Sequence, residues 1–210
     1  MSLQLASAKS VLINGKPNFG RVIFAHGAGV AMDSDFMQNI AKELANLGLE
    51  VIRFNFPYMQ KKQVDGRRRP PDRIPALVDH FAELVAKYQK EDVPLFVAGK
   101  SMGGRVATML PDYSGISGCF VFGYPFHPKG KPDKLRTEHL SSLPVPLHVF
   151  QGTRDALGSL EEVEGYNLNK RVIMHWFEDG DHDLKPRKSS GHTHSAHLKN
   201  AIAIIRNIIQ

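Results

Sequence analysis

Short apolar blocks recur along the chain at long spacing: Val22–Ala25, Val51–Phe54, Leu95–Ala98, Cys119–Phe122, Leu147–Phe150 and Val172–Phe177. They are rich in β-branched and aromatic residues and are mostly continuous rather than alternating. Such runs suit strands covered on both faces, as in a parallel sheet between helices. Val11–Ile13, followed by Asn14-Gly15, reads as a further strand with a tight turn, at an antiparallel edge. Between the blocks the period changes to that of a helix. After Asp33 and Ser34, either a good N-cap, Phe36, Met37, Ile40, Leu44 and Leu47 make one stripe, which Gly48 ends. Ile74, Leu77, Phe81, Leu84, Val85 and Tyr88 make a second. Val106, Met109 and Leu110 suggest a third, starting near Ser101, and Leu198, Ala201, Ile204, Ile205 and Ile208 the last. The alternation predicts an α/β fold with a mostly parallel central sheet and helices on both faces. Segments 55–73 and 123–146 carry no such pattern and read as irregular; a short helix near Lys134–Leu140 is the one element expected in the second.

The 210 residues, 42% hydrophobic and 23% charged, fit one domain spanning 1–210 and argue against disorder or a coiled coil. No apolar run approaches the ~18–20 residues of a membrane span, so no membrane partner is expected. Met1–Ser10 lacks a basic stretch followed by an apolar one, so no signal peptide is read there. A single cysteine, Cys119, excludes an intrachain disulfide and makes a reducing cytoplasm the expected compartment. The net charge of +6 is concentrated. Residues 61–73 carry six Lys/Arg against two Asp, and residues 129–136 carry Lys129, Lys131, Lys134 and Arg136 against Asp133. Such patches attract acidic ligands. No nucleic-acid motif accompanies them, so a nucleic-acid partner is not expected.

Gly99-Lys100-Ser101-Met102-Gly103 is the sharpest motif. G-x-S-x-G is short, and its context decides its meaning: a strand at 95–98 before it and a helix after it are what a nucleophile elbow requires. The turn lifts the serine hydroxyl above the carboxyl edge of the sheet, and the glycines leave room for neighbouring backbone. A phosphate-binding P-loop needs its first glycine at position 94, which is Pro94. Later in the chain, Gly152 ends a strand and places Asp155 in the following loop; Gly180-Asp181-His182 follows the next strand. Parallel strands bring both loops to the edge that carries Ser101. His182 can then take the serine proton, with Asp155 fixing its tautomer. His192, His194 and His197 compete for the role of base, and as H-x-H-x-x-H they also resemble a metal set, though no Cys or acidic ligand set accompanies them. After the first long strand, His26-Gly27-Ala28-Gly29 suits an oxyanion loop, with donors assigned to the backbone N–H groups of Ala28 and Met102. His26 itself reads as a buried packing residue.

The series HGAG, GKSMGG, GTRDALG and GDHDL resembles the α/β-hydrolase superfamily over nearly the whole chain. Arg53-Phe54-Asn55-Phe56-Pro57-Tyr58 with Gly66-Arg67-Arg68-Arg69-Pro70 is similar to small cap-less hydrolases of the dienelactone-hydrolase-like and testis-expressed-protein-30-like groups. The resemblance implies a serine hydrolase of a small carboxylic ester or thioester, with Ser101, Asp155 and His182 at the triad positions and no metal or organic cofactor. It departs from well-characterised esterases at Lys100, beside the nucleophile. The alternative is a non-catalytic binding or scaffold protein on a hydrolase fold. If the loop after Phe54 shares the edge of Ser101, Arg67, Arg68 and Arg69 are candidate contacts for an anionic substrate group.

Overall fold

The structure, a computed structural model, describes residues 11–210. The reading of Met1–Ser10 therefore lies outside the described residues. Seven strands form one sheet: β1 (Val11–Asn14), β2 (Gly20–Ala25), β3 (Leu49–Phe54), β4 (Leu95–Lys100), β5 (Ile116–Phe122), β6 (Leu147–Gly152) and β7 (Val172–Phe177). Their order across the sheet is β1-β3-β2-β4-β5-β6-β7. Every neighbouring pair is parallel except β1 with β3. This is the α/β-hydrolase fold expected from the sequence, with β1 as the antiparallel edge.

Among the described residues the α-helices are α1 (Asp35–Asn46), α2 (Pro57–Asp65), α3 (Ile74–Tyr88), α4 (Met102–Ala107), α5 (Leu160–Glu164) and α6 (His194–Ile209). Successive residues of the central strands serve opposite faces. Ile23, Val97 and Val121 pack with Leu77 and Phe81 of α3 and Val106 of α4. Phe24, Ala98 and Phe120 pack with Ile40 and Leu44 of α1 and Ile205 of α6. Both faces are dry, which is why these strands read as continuous apolar runs.

The edge strand β7 departs from that expectation. It is as apolar in sequence, yet only Phe177 is buried and Ile173 is 39% exposed. An edge strand has a neighbour on one side only, and sequence periodicity does not show which strand ends the sheet. Segment 55–73 also differs, since it holds the nine-residue α2. Only Tyr58 and Met59 of α2 are buried, so it offers no stripe to read. Pro57 starts it with a fixed φ at a position that needs no donor. α5 was likewise unread; it is five residues long and held by a Ser159–Glu162 capping box. The short helix expected near Lys134–Leu140 is a 3₁₀ turn at Glu138–Ser142.

Register aligns the carboxyl ends: Ala25 lies beside Phe54 and Gly99, Lys100 beside Phe122, and Gly152 beside Phe177. The loops after β2 to β7 therefore leave one edge. Strand order reverses between β2 and β4, and ligands of open α/β sheets bind at such a reversal.

Candidate active site

Ser101 sits between β4 and α4 with φ 52° and ψ −117°. A side-chain-bearing residue in this region costs roughly 1–3 kcal/mol, and such strain gathers at functional sites. The other non-glycine residues with positive φ among the described ones are Asp179 and Leu184, on either side of His182. The elbow's glycines are dictated by contact. A Cβ on Gly99 would lie 2.2 Å from the Gly103 carbonyl carbon and the Gly104 nitrogen, and one on Gly103 would lie 2.5 Å from His26 O. β2, β4 and α4 can meet this closely only without those carbons.

The structure brings Ser101, His182 and Asp155 together. His182 Nε2 is 2.8 Å from Ser101 Oγ, and His182 Nδ1 is 2.7 Å from Asp155 Oδ2. Asp155 is fully buried while Ser101 and His182 are partly open to solvent. The carboxylate also accepts from Leu157 N–H at 2.8 Å and from Gln151 Nε2 at 2.9 Å. Gln151 escaped the sequence reading. It is fully buried at the end of β6, and its amide clasps both backbone groups of Tyr124, the Gly158 carbonyl and Asp155. Its one sequence signal is an amide at the end of an apolar strand.

The loop carrying His182 is tied at several points. Asp179 accepts from Arg187 and pairs with Arg154; the Arg187 hydrogen bond is the main cause that holds its carboxyl down at about 2. His194 and His197 face the carbonyls of Asp183 and Leu184 at 2.9 Å each. Two of the three histidines that competed with His182 thus brace its loop from the start of α6. Among the described residues no group of three or more His, Cys, Asp or Glu gathers as a metal set.

Lys100, the residue out of place in the motif, has a visible task. It is 5% exposed, and its Nζ donates to His182 O at 2.7 Å and pairs with Asp183 Oδ1 at 3.0 Å. Gly123, at φ 67°, clears the way: a Cβ there would lie 2.5 Å from His182 O. The lysine therefore joins β4, which leads into Ser101, to the loop that carries His182. Burial lowers its pKa, against the opposing charges of Asp183, Asp155 and Asp181, while Phe36 of α1 lies 5.8 Å from the ammonium. Lys100→Met should keep the packing and lose the donors. Misplaced catalytic groups cost about 10²-fold per ångström, so kcat should fall about 10–100-fold with KM little changed. A lowered pKa means the ammonium loses its proton below the ordinary lysine value of ~10.4. Wild-type kcat should therefore fall on the alkaline side before that pH, and the Met variant should lack this limb. Equal kcat and identical pH profiles would remove the latch from the account.

The loop expected to carry the oxyanion donors follows β2. A Cβ built on Gly27 would lie 3.7 Å from Ser101 Cβ, so the loop passes directly beside Ser101. Met102, the other assigned donor, is the first residue of α4. His26 is fully buried; Nδ1 faces Gly27 O at 2.7 Å, and Nε2 accepts from Phe56 N–H at 3.1 Å. A carbonyl on one nitrogen and a donor on the other fix a neutral ring, and burial presses its pKa to about 4. Tyr58 OH donates to Ala28 O at 3.0 Å, while Tyr58 N–H donates to Asp72 at 2.9 Å. Aromatic residues after β3 thus hold the loop.

A groove of about 280 Å³ adjoins this loop, lined by Ala28, Gly29, Met59, Lys62, Arg68 and Arg69. Two of the three candidate arginines therefore share a groove with Ala28 and Gly29. Arg69 is partly committed to Asp65, one turn away. Arg67 is exposed and does not line the groove, whereas Lys62, unselected in the sequence, does. Segment 123–146 forms no lid. Tyr124, Phe126, Leu140, Leu143 and Val145 anchor it in the core, while residues 129–135 are exposed.

The sequence profile of a family described as an alpha/beta hydrolase domain matches residues 18–210. A search of curated proteins finds no match by sequence. Among solved structures, an alpha-beta serine hydrolase homologue from Coxiella burnetii matches at a TM-score of 0.65 and 17% identity, covering 95% of this chain and 88% of that one. Dienelactone hydrolase from Anabaena variabilis matches at 0.66 and 16%, over 92% and 88%. An α/β serine hydrolase without lid from Xanthomonas campestris matches at 0.63 and 20%, over 95% and 85%. At these identities the likeness is one of fold.

Proposed function

We propose that this chain, which belongs to the alpha/beta hydrolase family, is a serine hydrolase that cleaves a small carboxylic ester or thioester through an acyl-enzyme on Ser101. The observation that carries the reading is the hydrogen-bonded run from Ser101 Oγ through His182 to a buried Asp155, at 2.8 and 2.7 Å. His182 Nε2 takes the serine proton as Oγ attacks the carbonyl. Asp155 keeps the Nδ1 proton in place and stabilises the imidazolium. The negative charge that develops on the carbonyl oxygen falls to the N–H groups of Ala28 and Met102. One such donor typically supplies ~3–4 kcal/mol of transition-state stabilisation. The imidazolium then protonates the leaving alkoxide or thiolate. Water, deprotonated by the same histidine, attacks the acyl-enzyme and frees the serine.

The groove beside Ala28 supports a preference for acyl groups with a distal carboxylate or phosphate, since Lys62, Arg68 and Arg69 line it. The buried Cys119 fits a reducing, cytoplasmic setting, and no helix among the described residues is long and apolar enough to cross a membrane. The test is kcat/KM for one anionic and one neutral ester of equal acyl length. Wild type should favour the anionic ester, and added salt should erode the preference over screening lengths of ~8–10 Å. Arg68→Ala should reduce that preference about 3–10-fold; Arg67→Ala should not, because its side chain lies outside the groove. Equal selectivity in all three proteins would leave the groove without a role in substrate choice.

A further inference from the structure

A second group of cations lies away from that groove. Arg105 of α4 and Arg136 of the 123–146 segment line one cavity of about 450 Å³, with Met109, Leu135, Glu138 and His139. Arg105 Nε is buried and has no hydrogen-bond partner among the described residues. Neither guanidinium makes an ion pair among them; the exposed Glu138 lines the cavity without reaching either.

The backbone of Arg136 is held at both ends. Its N–H donates to Phe126 O at 2.8 Å, and its carbonyl accepts from Tyr124 OH at 2.8 Å. Its position is built, while its guanidinium has no protein acceptor among the described residues. The two arginines also oppose each other: burial first, and then the charge of Arg105, lowers the pKa of Arg136. His139 adds no charge. Thr108 Oγ1 donates to Arg105 O and Tyr124 OH donates to Arg136 O, so both hydroxyl protons facing His139 Nε2 are used. Nε2 must then be the donor of a neutral ring, and burial, with Arg105 second, holds its pKa at about 4. Lys129, Lys131 and Lys134, all exposed on the same segment, add positive field outside. Two unpaired guanidiniums sharing a cavity are destabilised by mutual repulsion unless an anion lies between them.

We propose that this cavity binds a phosphate-bearing small molecule, with the phosphate held between Arg105 and Arg136. A carboxylate satisfies one guanidinium fork, whereas the terminal oxygens of a phosphate can accept from two. The site lies one helical turn from the nucleophile, since Arg105 N–H donates to Ser101 O at 3.0 Å. Its occupancy needs no turnover and is independent of the proposed hydrolysis.

The test titrates inorganic phosphate into the folded protein and follows ³¹P line broadening, with acetate at equal ionic strength as the comparison in melting experiments. At about ten times the midpoint of the titration, phosphate should raise the melting temperature by about 3–6 °C, and acetate should not. Arg105→Gln/Arg136→Gln should abolish the shift and leave only the weak broadening contributed by the Lys62, Arg68 and Arg69 groove. Arg136→Gln alone, a half-exposed position outside the core, should weaken binding at least tenfold, which keeps the test decisive if the double variant folds poorly. Arg67→Gln/Arg68→Gln/Arg69→Gln should retain binding. No broadening in wild type, an equal shift with acetate, binding of undiminished affinity in Arg136→Gln, or binding lost only in the 67–69 variant would overturn the proposal.

Discussion

Ser101→Ala is expected to lower kcat on the best ester by about 10⁵–10⁶-fold with little change in KM, because the nucleophile, base and orienting acid act as a unit. The fold should hardly register the loss, since the hydroxyl is half-open and its partner is the rotatable ring of His182. Ser101→Gly separates chemistry from strain. It should be equally inactive, yet glycine adopts φ 52° without the clash that a Cβ meets. Relief of roughly 1–3 kcal/mol, less about 0.5–1 kcal/mol for the more flexible unfolded chain, leaves a net gain near 1 kcal/mol. That gain is a rise in melting temperature of about 2–4 °C. If the glycine variant proved less stable than the alanine variant, the elbow would not be strained and the clustering of positive φ around the site would carry no functional meaning.

The second large effect is on folding. Gly99→Ala should cost more than about 3 kcal/mol, beyond the usual range for a single added methyl group. The atoms that a Cβ would strike at 2.2 Å are backbone atoms of Gly103 and Gly104, which no rotamer change can move. α4 would have to lift from β4, taking the buried Val106 and Ala107 with it. Gly29→Ala is the matched comparison in the oxyanion loop. Nothing lies within 4 Å of the added carbon, so its stability should stay within about 0.5 kcal/mol of wild type. Equal stabilities by urea denaturation would mean that the close approach of β4 and α4 is not what the motif's glycines serve.

The central sheet was legible because burial on both faces writes itself into consecutive residues. β2, β4 and β5 have no solvent-facing side to make polar. The meeting of Ser101, Asp155 and His182 was legible for a topological reason: once the strands are parallel, residues just past their carboxyl ends share an edge, however far apart in sequence. α2 was not legible, since a helix that buries two adjacent side chains has no period. Nor was the part that Lys100 and Gln151 play. Their effect lies in what they reach, His182 O and Asp155 Oδ2, and these partners are 82 and 4 residues away in sequence. A lysine beside the nucleophile signalled something unusual; only the position of Gly123 and the His182 loop shows that it is a tie between strand and loop. The basic run 67–69 reads as a unit, but past the left-handed cap of α2 at Gly66 its members differ: Arg69 pairs with Asp65 and lines the groove, Arg68 lines the groove, and Arg67 is exposed outside it.

The most direct test of a serine nucleophile at this elbow is reaction of the folded protein with a fluorophosphonate, followed by mass mapping of the modified peptide. The expected result is stoichiometric label on Ser101 alone, lost in His182→Ala and retained in His192→Ala, because among the described histidines His182 is the one within hydrogen-bond reach of Ser101 Oγ, at 2.8 Å. Label on another serine, or none on folded wild-type protein, would contradict it.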